Sequence, residues 1–164
     1  MGYRAGDNTF KSLFSGGIDT VKESDLYETP PHIFENLSRA FGPFDLDVCA
    51  LKLTAKCDRF FSPHDNALDQ RWEGRCWMNP PYSDPLPWIS KAQNEAKFGA
   101  FIVALLPSDT STAWYQMMKL DPNCILLHPA GRIRFHLNGM QCGSPKFGSV
   151  VAVFHPPVSW RKKK

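Results

Sequence analysis

Apolar residues recur along this chain with two periods, and the places where one period gives way to the other mark the elements. After Thr29-Pro30-Pro31, residues Ile33, Phe34, Leu37, Ala40 and Phe41 share one helical face. Thr29 is expected as N-cap, Pro30 at the first helical position and Gly42 as the stop. Phe44 to Val48 is a short strand candidate, and Phe60-Phe61 is another, broken by Pro63. Trp77-Met78 reads as the end of a strand. A helix follows with Trp88, Ile89, Ala92 and Ala96 on one face, stopping at Gly99. The run Ala100 to Leu106 is a buried-strand pattern closed by Pro107, then a helix is expected around Thr112 to Lys119 and a strand at Cys124 to Leu127. Strand and helix alternating in this way predict an α/β fold: a mostly parallel sheet with helices on both faces. Ile133 to His136 and Ser149 to Phe154 are expected to form a C-terminal hairpin at the sheet edge, joined by the loop Leu137 to Gly148.

At 164 residues and 43% hydrophobic, the chain is sized for one domain with a real core. We expect a loose arm over residues 1–25, a single domain over 26–158 and a basic tail over 159–164. The longest apolar run is far shorter than the ~20 residues that span a bilayer, and the first 25 residues contain no continuous apolar segment. A membrane-spanning or secreted protein is therefore not expected; the cytoplasm is. Five cysteines without a C-x-x-C pair suggest neither a disulfide framework nor a paired-cysteine zinc site, and no metal is expected. The net charge of +3 arises from 19 Lys and Arg against 16 Asp and Glu, and Arg161 to Lys164 supply four of the cations. The body is near neutral, so any nucleic-acid footprint must come from local clustering and the tail.

The tetrapeptide Asn79-Pro80-Pro81-Tyr82 carries the clearest chemistry, because it follows a strand and precedes a helix, at the sheet edge where α/β folds bind ligands. Two prolines remove two backbone donors and leave only acceptors. Asn79 adds a side-chain carbonyl, and Tyr82 a flat face on which a base can stack. Together they describe a socket for an aromatic ring bearing an exocyclic NH₂. Trp72, Trp77, Trp88 and Trp114 are expected to serve the core instead.

The motif does not stand alone. Tyr27-Glu28-Thr29-Pro30, Phe44-Asp45-Leu46-Asp47-Val48-Cys49-Ala50, Ala55-Lys56-Cys57 with Phe60-Phe61, Asp65-Asn66-Ala67-Leu68, Trp72-Glu73-Gly74, Trp77 to Ser83, Leu105-Leu106-Pro107 and Gly131 to Phe135 form an ordered series. This series resembles the phage-type DNA adenine methyltransferases (Dam), from about Tyr27 to Phe154. The resemblance implies a Rossmann-like fold and transfer of methyl from S-adenosylmethionine to the adenine amino nitrogen in double-stranded DNA. It implies that Asn79 and the Pro80 carbonyl accept hydrogen bonds from the target NH₂, with Pro81 completing the turn and Tyr82 stacking on a base swung out of the duplex. On the cofactor side it implies Asp47-Val48-Cys49-Ala50 as the loop after the first strand, without the G-x-G of the wider fold. Asp45 or Asp47 would accept from the cofactor's ammonium, and Asp65, 18 residues beyond Asp47, would contact its ribose or adenine. Tyr27, Thr29 and Pro30 resemble the element that closes over its methionine end.

Arg132 and Arg134 alternate with Ile133 and Phe135, which places both guanidinium groups on one face, for contact with DNA phosphate or base edges or simply with solvent. The size leaves no room for a separate recognition domain, so base readout is expected from the Leu137 to Gly148 loop. There Asn138, Gln141 and Ser144 suit base edges and Lys146 suits phosphate. A homodimer covering a palindromic site is compatible with this size but not established by it. The same acceptor rim also serves amino methylation of cytosine, RNA or a protein glutamine, and an inactive DNA-binding relative would retain the fold.

Overall fold

The computed structural model describes residues 22–143 and 145–158, so the arm before Lys22, Ser144 in the expected readout loop and the tail 159–164 lie outside the described residues. Of the expected arm, Glu23–Leu26 forms a single 3₁₀ turn. Three α-helices follow in chain order: α1 (Pro31–Phe41), α2 (Leu86–Lys97) and α3 (Ala113–Leu120). The strands are β1 (Leu46–Asp47), β2 (Arg75–Met78), β3 (Phe101–Ser108), β4 (Cys124–Leu127), β5 (His136–Leu137), β6 (Met140–Gln141) and β7 (Gly148–Phe154).

The main sheet has the order β1-β2-β3-β7-β4. β1, β2 and β3 are parallel, and β7 is antiparallel to both β3 and β4. Phe60 adds an isolated parallel bridge to Asp47 outside β1. This is a mixed α/β sheet, mostly parallel. Alternation along the strands divides the core in two. Cys76, Met78, Ile102, Ala104, Leu106, Val150, Ala152 and Phe154 pack toward Ile89, Ala92 and Ala96 of α2 and Tyr115 and Met118 of α3. Trp77, Val103, Leu105, Val151 and Val153 pack on the other face toward Ile33, Phe34, Leu37 and Phe41 of α1. Helices therefore cover both faces, and Trp72 and Trp77 are fully buried core residues.

The expected edge hairpin is not formed. β7 lies inside the sheet, paired with β3 from Ile102↔Phe154 to Ser108↔Gly148 and with β4 on its other side. Its residues are apolar toward both faces, the pattern of an interior strand. Ile133 to Phe135 joins no ladder; the chain instead makes a small separate hairpin, β5–β6. Its two-residue turn, Asn138-Gly139, has φ of 52° and 74°, the doubly left-handed geometry that matches strand twist.

Helix α1 starts one residue later than expected. Pro30 rather than Thr29 is the N-cap, and its carbonyl accepts from the N–H groups of Ile33 and Phe34, both at 3.1 Å. Pro31 then takes the first helical position, where its missing N–H costs nothing. Thr112, expected inside the helix, is instead the N-cap of α3 and accepts from Tyr115 N–H at 3.3 Å. β3 runs through Pro107, which is admissible because β2 ends opposite Ala104 and leaves β3 a neighbour on one side only. No helix among the described residues is long and apolar enough to cross a membrane.

Candidate active site

The chain leaves β1 outward to the Phe60 bridge and returns inward through β2, so the connection reverses between β1 and β2. In such sheets the crevice outside the carboxyl ends of the two flanking strands is where ligands bind. Two loops meet there: Val48-Cys49-Ala50 after β1, and Asn79-Pro80-Pro81-Tyr82 after β2. They are tied directly, Val48 N–H donating to the Trp77 carbonyl at 2.9 Å.

Asn79 is held by its own amide. Its Nδ2 donates to the carbonyl of Tyr27 at 2.8 Å, which leaves Oδ1 as the other end of the group. That oxygen is buried and has no hydrogen-bond partner among the described residues. A buried, unpaired carbonyl costs free energy of about 1–3 kcal/mol, so an arrangement that keeps one is suited to an incoming donor. The far end of the motif is tied to the same segment: Ser83 N–H donates to Asp25 Oδ1 at 2.7 Å. Residues 25–29 thus brace both ends of the tetrapeptide.

Tyr82 is half-buried in an aromatic group. Its ring meets Phe135 edge-on at 5.7 Å and Phe147 at 5.6 Å, and its hydroxyl donates to the Leu105 carbonyl at 3.3 Å. Burial pushes its phenol well above the ordinary value, so it stays neutral. Tyr27 stacks flat on Phe135 at 5.2 Å.

Asp47 ends β1 and is buried. Burial raises its carboxyl to about 6, against the opposing pull of the Lys56 and Cys49 N–H groups it accepts at 3.0 and 3.2 Å. These two bonds fix the path of the loop after β1, which explains how it is shaped without a G-x-G. Val48 and Ala50 are buried within that loop, and burial raises the Cys49 thiol well above its ordinary value. Thr29 is 2% exposed, and its hydroxyl, like Asn79 Oδ1, has no partner. Asn79, Pro80, Pro81, Tyr82, Tyr27, Thr29, Pro30, Asp47, Cys49 and Ala50 accordingly gather around one sheet edge.

Other expected residues lie elsewhere. Asp45 pairs its carboxylate with Arg75 N–H at 2.8 Å, at the amino-terminal end of β2. Four residues of strand separate that point from Asn79, roughly 13 Å at ~3.3 Å per residue. Asp45 is exposed there and borders a shallow cavity of about 500 Å³ with Phe44, Asp58, Arg59, Glu73 and Gly74, away from the carboxyl edge. Of the two acidic residues expected at the cofactor, Asp47 lies at the carboxyl end of β1 and Asp45 lies before the strand, bonded to Arg75. Asp65 is exposed and its Oδ2 accepts both the N–H and the hydroxyl of Ser62, each at 2.7 Å, which caps the turn Pro63–Asp65 and lowers its pKa. Arg132 donates to the Pro145 carbonyl at 2.9 Å, while Arg134, Asn138, Gln141 and Lys146 are exposed. Asn138 also occupies a left-handed turn position. Among the described residues no group of three His, Cys, Asp or Glu side chains gathers to hold a metal ion.

Three participants were not anticipated: Asp25, Phe135 as a stacking partner, and Phe147. Asp25 and Phe147 stand in segments without periodicity and Phe135 in a short alternating one, and the contacts that define all three span tens of residues.

Comparison with known proteins identifies the family. Residues 18–158 match the family model described as DNA N-6-adenine-methyltransferase (Dam). The chain is similar to the DNA N-6-adenine-methyltransferase of Haemophilus phage HP1 (strain HP1c1), 33% identical over 147 residues, covering 87% of this chain and 85% of the relative. It is also similar to the DNA N-6-adenine-methyltransferase of Escherichia phage T1, 38% identical over 94 residues, covering 56% of this chain and 39% of that one.

Proposed function

The chain belongs to the DNA N-6-adenine-methyltransferase (Dam) family, and from that premise we propose that it transfers a methyl group from S-adenosylmethionine to the exocyclic amino nitrogen of adenine in double-stranded DNA. The observation that carries the reading is Asn79 Oδ1, a buried acceptor without a partner at the carboxyl edge of the sheet.

The residues present fit the cofactor. Asp47 offers a buried carboxylate to an ammonium, and Thr29 an unpaired buried hydroxyl to a carboxylate. Cys49 and Ala50 follow Asp47 in the loop after β1, and the chain reversal between β1 and β2 supports a Rossmann-like reading of the sheet. When bound, S-adenosylmethionine supplies an electrophilic methyl group, the new N–C bond forming as the S–C bond breaks.

The protein's own part is placement and polarisation. Asn79 Oδ1 accepts a hydrogen bond from the amino group, which raises electron density on nitrogen as its lone pair attacks. Pro80 and Pro81 bring no N–H to compete for the amino group, only carbonyls. Tyr82 gives the base a flat surface, and its phenol stays neutral. The nitrogen sheds its extra proton to water after transfer, so no general base is required of the chain; orientation and electrostatics supply the rate. Arg134 and Lys146, both exposed, are the cations available for phosphate, with the basic tail 159–164 adding to them. Asn138 and Gln141 are available for base edges, and Arg132 divides its donors between Pro145 and DNA. The reaction takes place in a single domain, residues 26–158, in the cytoplasm where DNA and methyl donor meet. Among the described residues β4 is an edge of the sheet, with Ile125 and Leu127 exposed, which supports pairing with a second copy over a symmetric site.

The test is transfer of labelled methyl from S-adenosylmethionine to separate pools of unmethylated duplex DNA, RNA and protein. Label confined to duplex DNA supports the reading; label in RNA or protein instead replaces its substrate.

A further inference from the structure

An adenine inside a duplex cannot reach a half-buried socket, so the proposed reaction requires the target base to leave the stack, at a cost of a few kcal/mol. We infer that Met140 is the side chain that enters the DNA stack as the base leaves it. The inference rests on the DNA reading above and adds to it the device that opens the duplex.

Met140 stands at the tip of the β5–β6 hairpin, directly after the Asn138-Gly139 turn, and is 73% exposed. Its cross-strand partner Leu137 lies on the same face of the hairpin and is half-buried, so the two form an apolar pair of which Met140 is the exposed member. Other large apolar residues are exposed on this molecule, among them Leu53, Phe98 and Leu120. Met140 differs from these because its hairpin is bonded to the segment that holds Asn79. Glu28 N–H donates to the His136 carbonyl at 2.8 Å, and His136 N–H returns to the Glu28 carbonyl at 2.9 Å. Glu28 Oε1 accepts from Gly139 N–H at 3.3 Å, at the turn itself. Glu28 follows Tyr27, whose carbonyl holds the Asn79 amide.

A second set of contacts fixes the base of the hairpin. Cys142 N–H donates to the Phe135 carbonyl at 2.7 Å, and the Phe135 ring packs on Tyr27 and Tyr82. The hairpin is thus registered to both Asn79 and Tyr82, and two residues of strand extend its tip ~7 Å beyond Phe135. A doubly left-handed turn makes that extension short and stiff. Methionine is unbranched and polarizable, fits irregular gaps, and belongs to the apolar side chains that wedge between base steps. Asn138 and Gln141 beside it are exposed and polar, suited to the rim of an opened base pair.

The experiment compares wild type, Met140→Ala and Met140→Leu on duplexes carrying the methylated site, with the target adenine opposite thymine or opposite an abasic position. A third duplex carries 2-aminopurine at the target, whose fluorescence rises on unstacking. The exposed position makes the substitutions neutral for folding, to within about 0.5 kcal/mol. Met140→Ala should lower kcat at least about tenfold on the paired duplex and abolish the fluorescence rise, with cofactor affinity unchanged. The same variant should come within about threefold of wild type opposite the abasic position, where no base pair has to be broken, and Met140→Leu should retain function on both. Wild-type rates for Met140→Ala on the paired duplex would overturn the inference. Equal losses on both duplexes would overturn it too, since the residue would then serve something other than opening. If wild type methylates no DNA at all, the underlying reading fails and the wedge falls with it.

Discussion

The side-chain amide of Asn79 donates to the main-chain carbonyl of Tyr27 at 2.8 Å, across 52 residues of sequence. One bond thereby orients the amide, because the Nδ2 end is occupied and Oδ1 is left without a partner among the described residues. Asp25, two residues before Tyr27, holds the other end of the motif through Ser83 N–H.

Asp25→Ala should therefore loosen the tetrapeptide without removing any group that touches substrate. Stability should fall by only about 1 kcal/mol, the net worth of one hydrogen bond. Methyl transfer should fall by about tenfold or more, because small misplacements of reacting groups are costly. Denaturant unfolding and steady-state kinetics on one preparation check both; equal activity would mean that the brace is not needed for alignment.

Asp47 makes stability and cofactor binding respond to pH in opposite senses. Its folded pKa of about 6 lies above the ordinary 3.8, so the folded chain holds this proton more tightly than the unfolded chain does. Stability from this group is complete below pH ~4 and is lost as pH rises through ~6, by up to about 3 kcal/mol for two pKa units. Asp47→Asn should flatten that stretch of the urea stability profile. An ammonium binding at Asp47 requires the ionised form, so affinity for S-adenosylmethionine should weaken as pH falls below ~6. Titration calorimetry across pH 5 to 8 checks this, and a flat affinity profile would remove Asp47 from the cofactor site.

Asp45 should behave as a structural residue. Its carboxylate holds Arg75 N–H, and a Cβ at Gly74 would lie 2.5 Å from its Oδ2 at a φ of +76°. Asp45→Ala and Gly74→Ala should each cost about 1–2 kcal/mol of stability and leave the cofactor dissociation constant unchanged. A large loss of cofactor affinity in Asp45→Ala would contradict the placement.

Tyr82 separates ring from hydroxyl. Tyr82→Phe gives up one long bond to the Leu105 carbonyl and should retain activity within about threefold. Tyr82→Ala removes the stacking face and opens a gap against Phe135 and Phe147, so activity should fall about 10²-fold and stability by about 3 kcal/mol. Kinetics with thermal unfolding distinguish the two variants.

What was legible beforehand follows from how local each feature is. The α1 stripe, the α2 stripe ending at Gly99, the apolar run of β3 and the Asn79 motif all announce themselves within a dozen residues. The strand Ser149 to Phe154 was legible too, but its place inside the sheet was not, because its partners β3 and β4 lie tens of residues earlier in the chain. Asp45 and Asp47 look equivalent two residues apart, yet β1 begins between them and puts one in solvent and the other in the core. The Leu51 to Gly74 stretch resisted reading because side-chain to backbone bonds, Asp47 to Lys56, Ser62 to Asp65 and Trp72 to Ala67, shape it in place of a periodic pattern. The Asn138-Gly139 dipeptide is itself a local hairpin signal, since both residues adopt the left-handed geometry the turn requires.

The most direct test of the central claim is nucleoside analysis of duplex DNA after incubation with labelled S-adenosylmethionine, for wild type and for Asn79→Ala. The account predicts N6-methyladenine as the labelled product of wild type and a loss of at least about 10²-fold in the variant, with cofactor binding retained. Label appearing in methylcytosine, or undiminished transfer by Asn79→Ala, would contradict it.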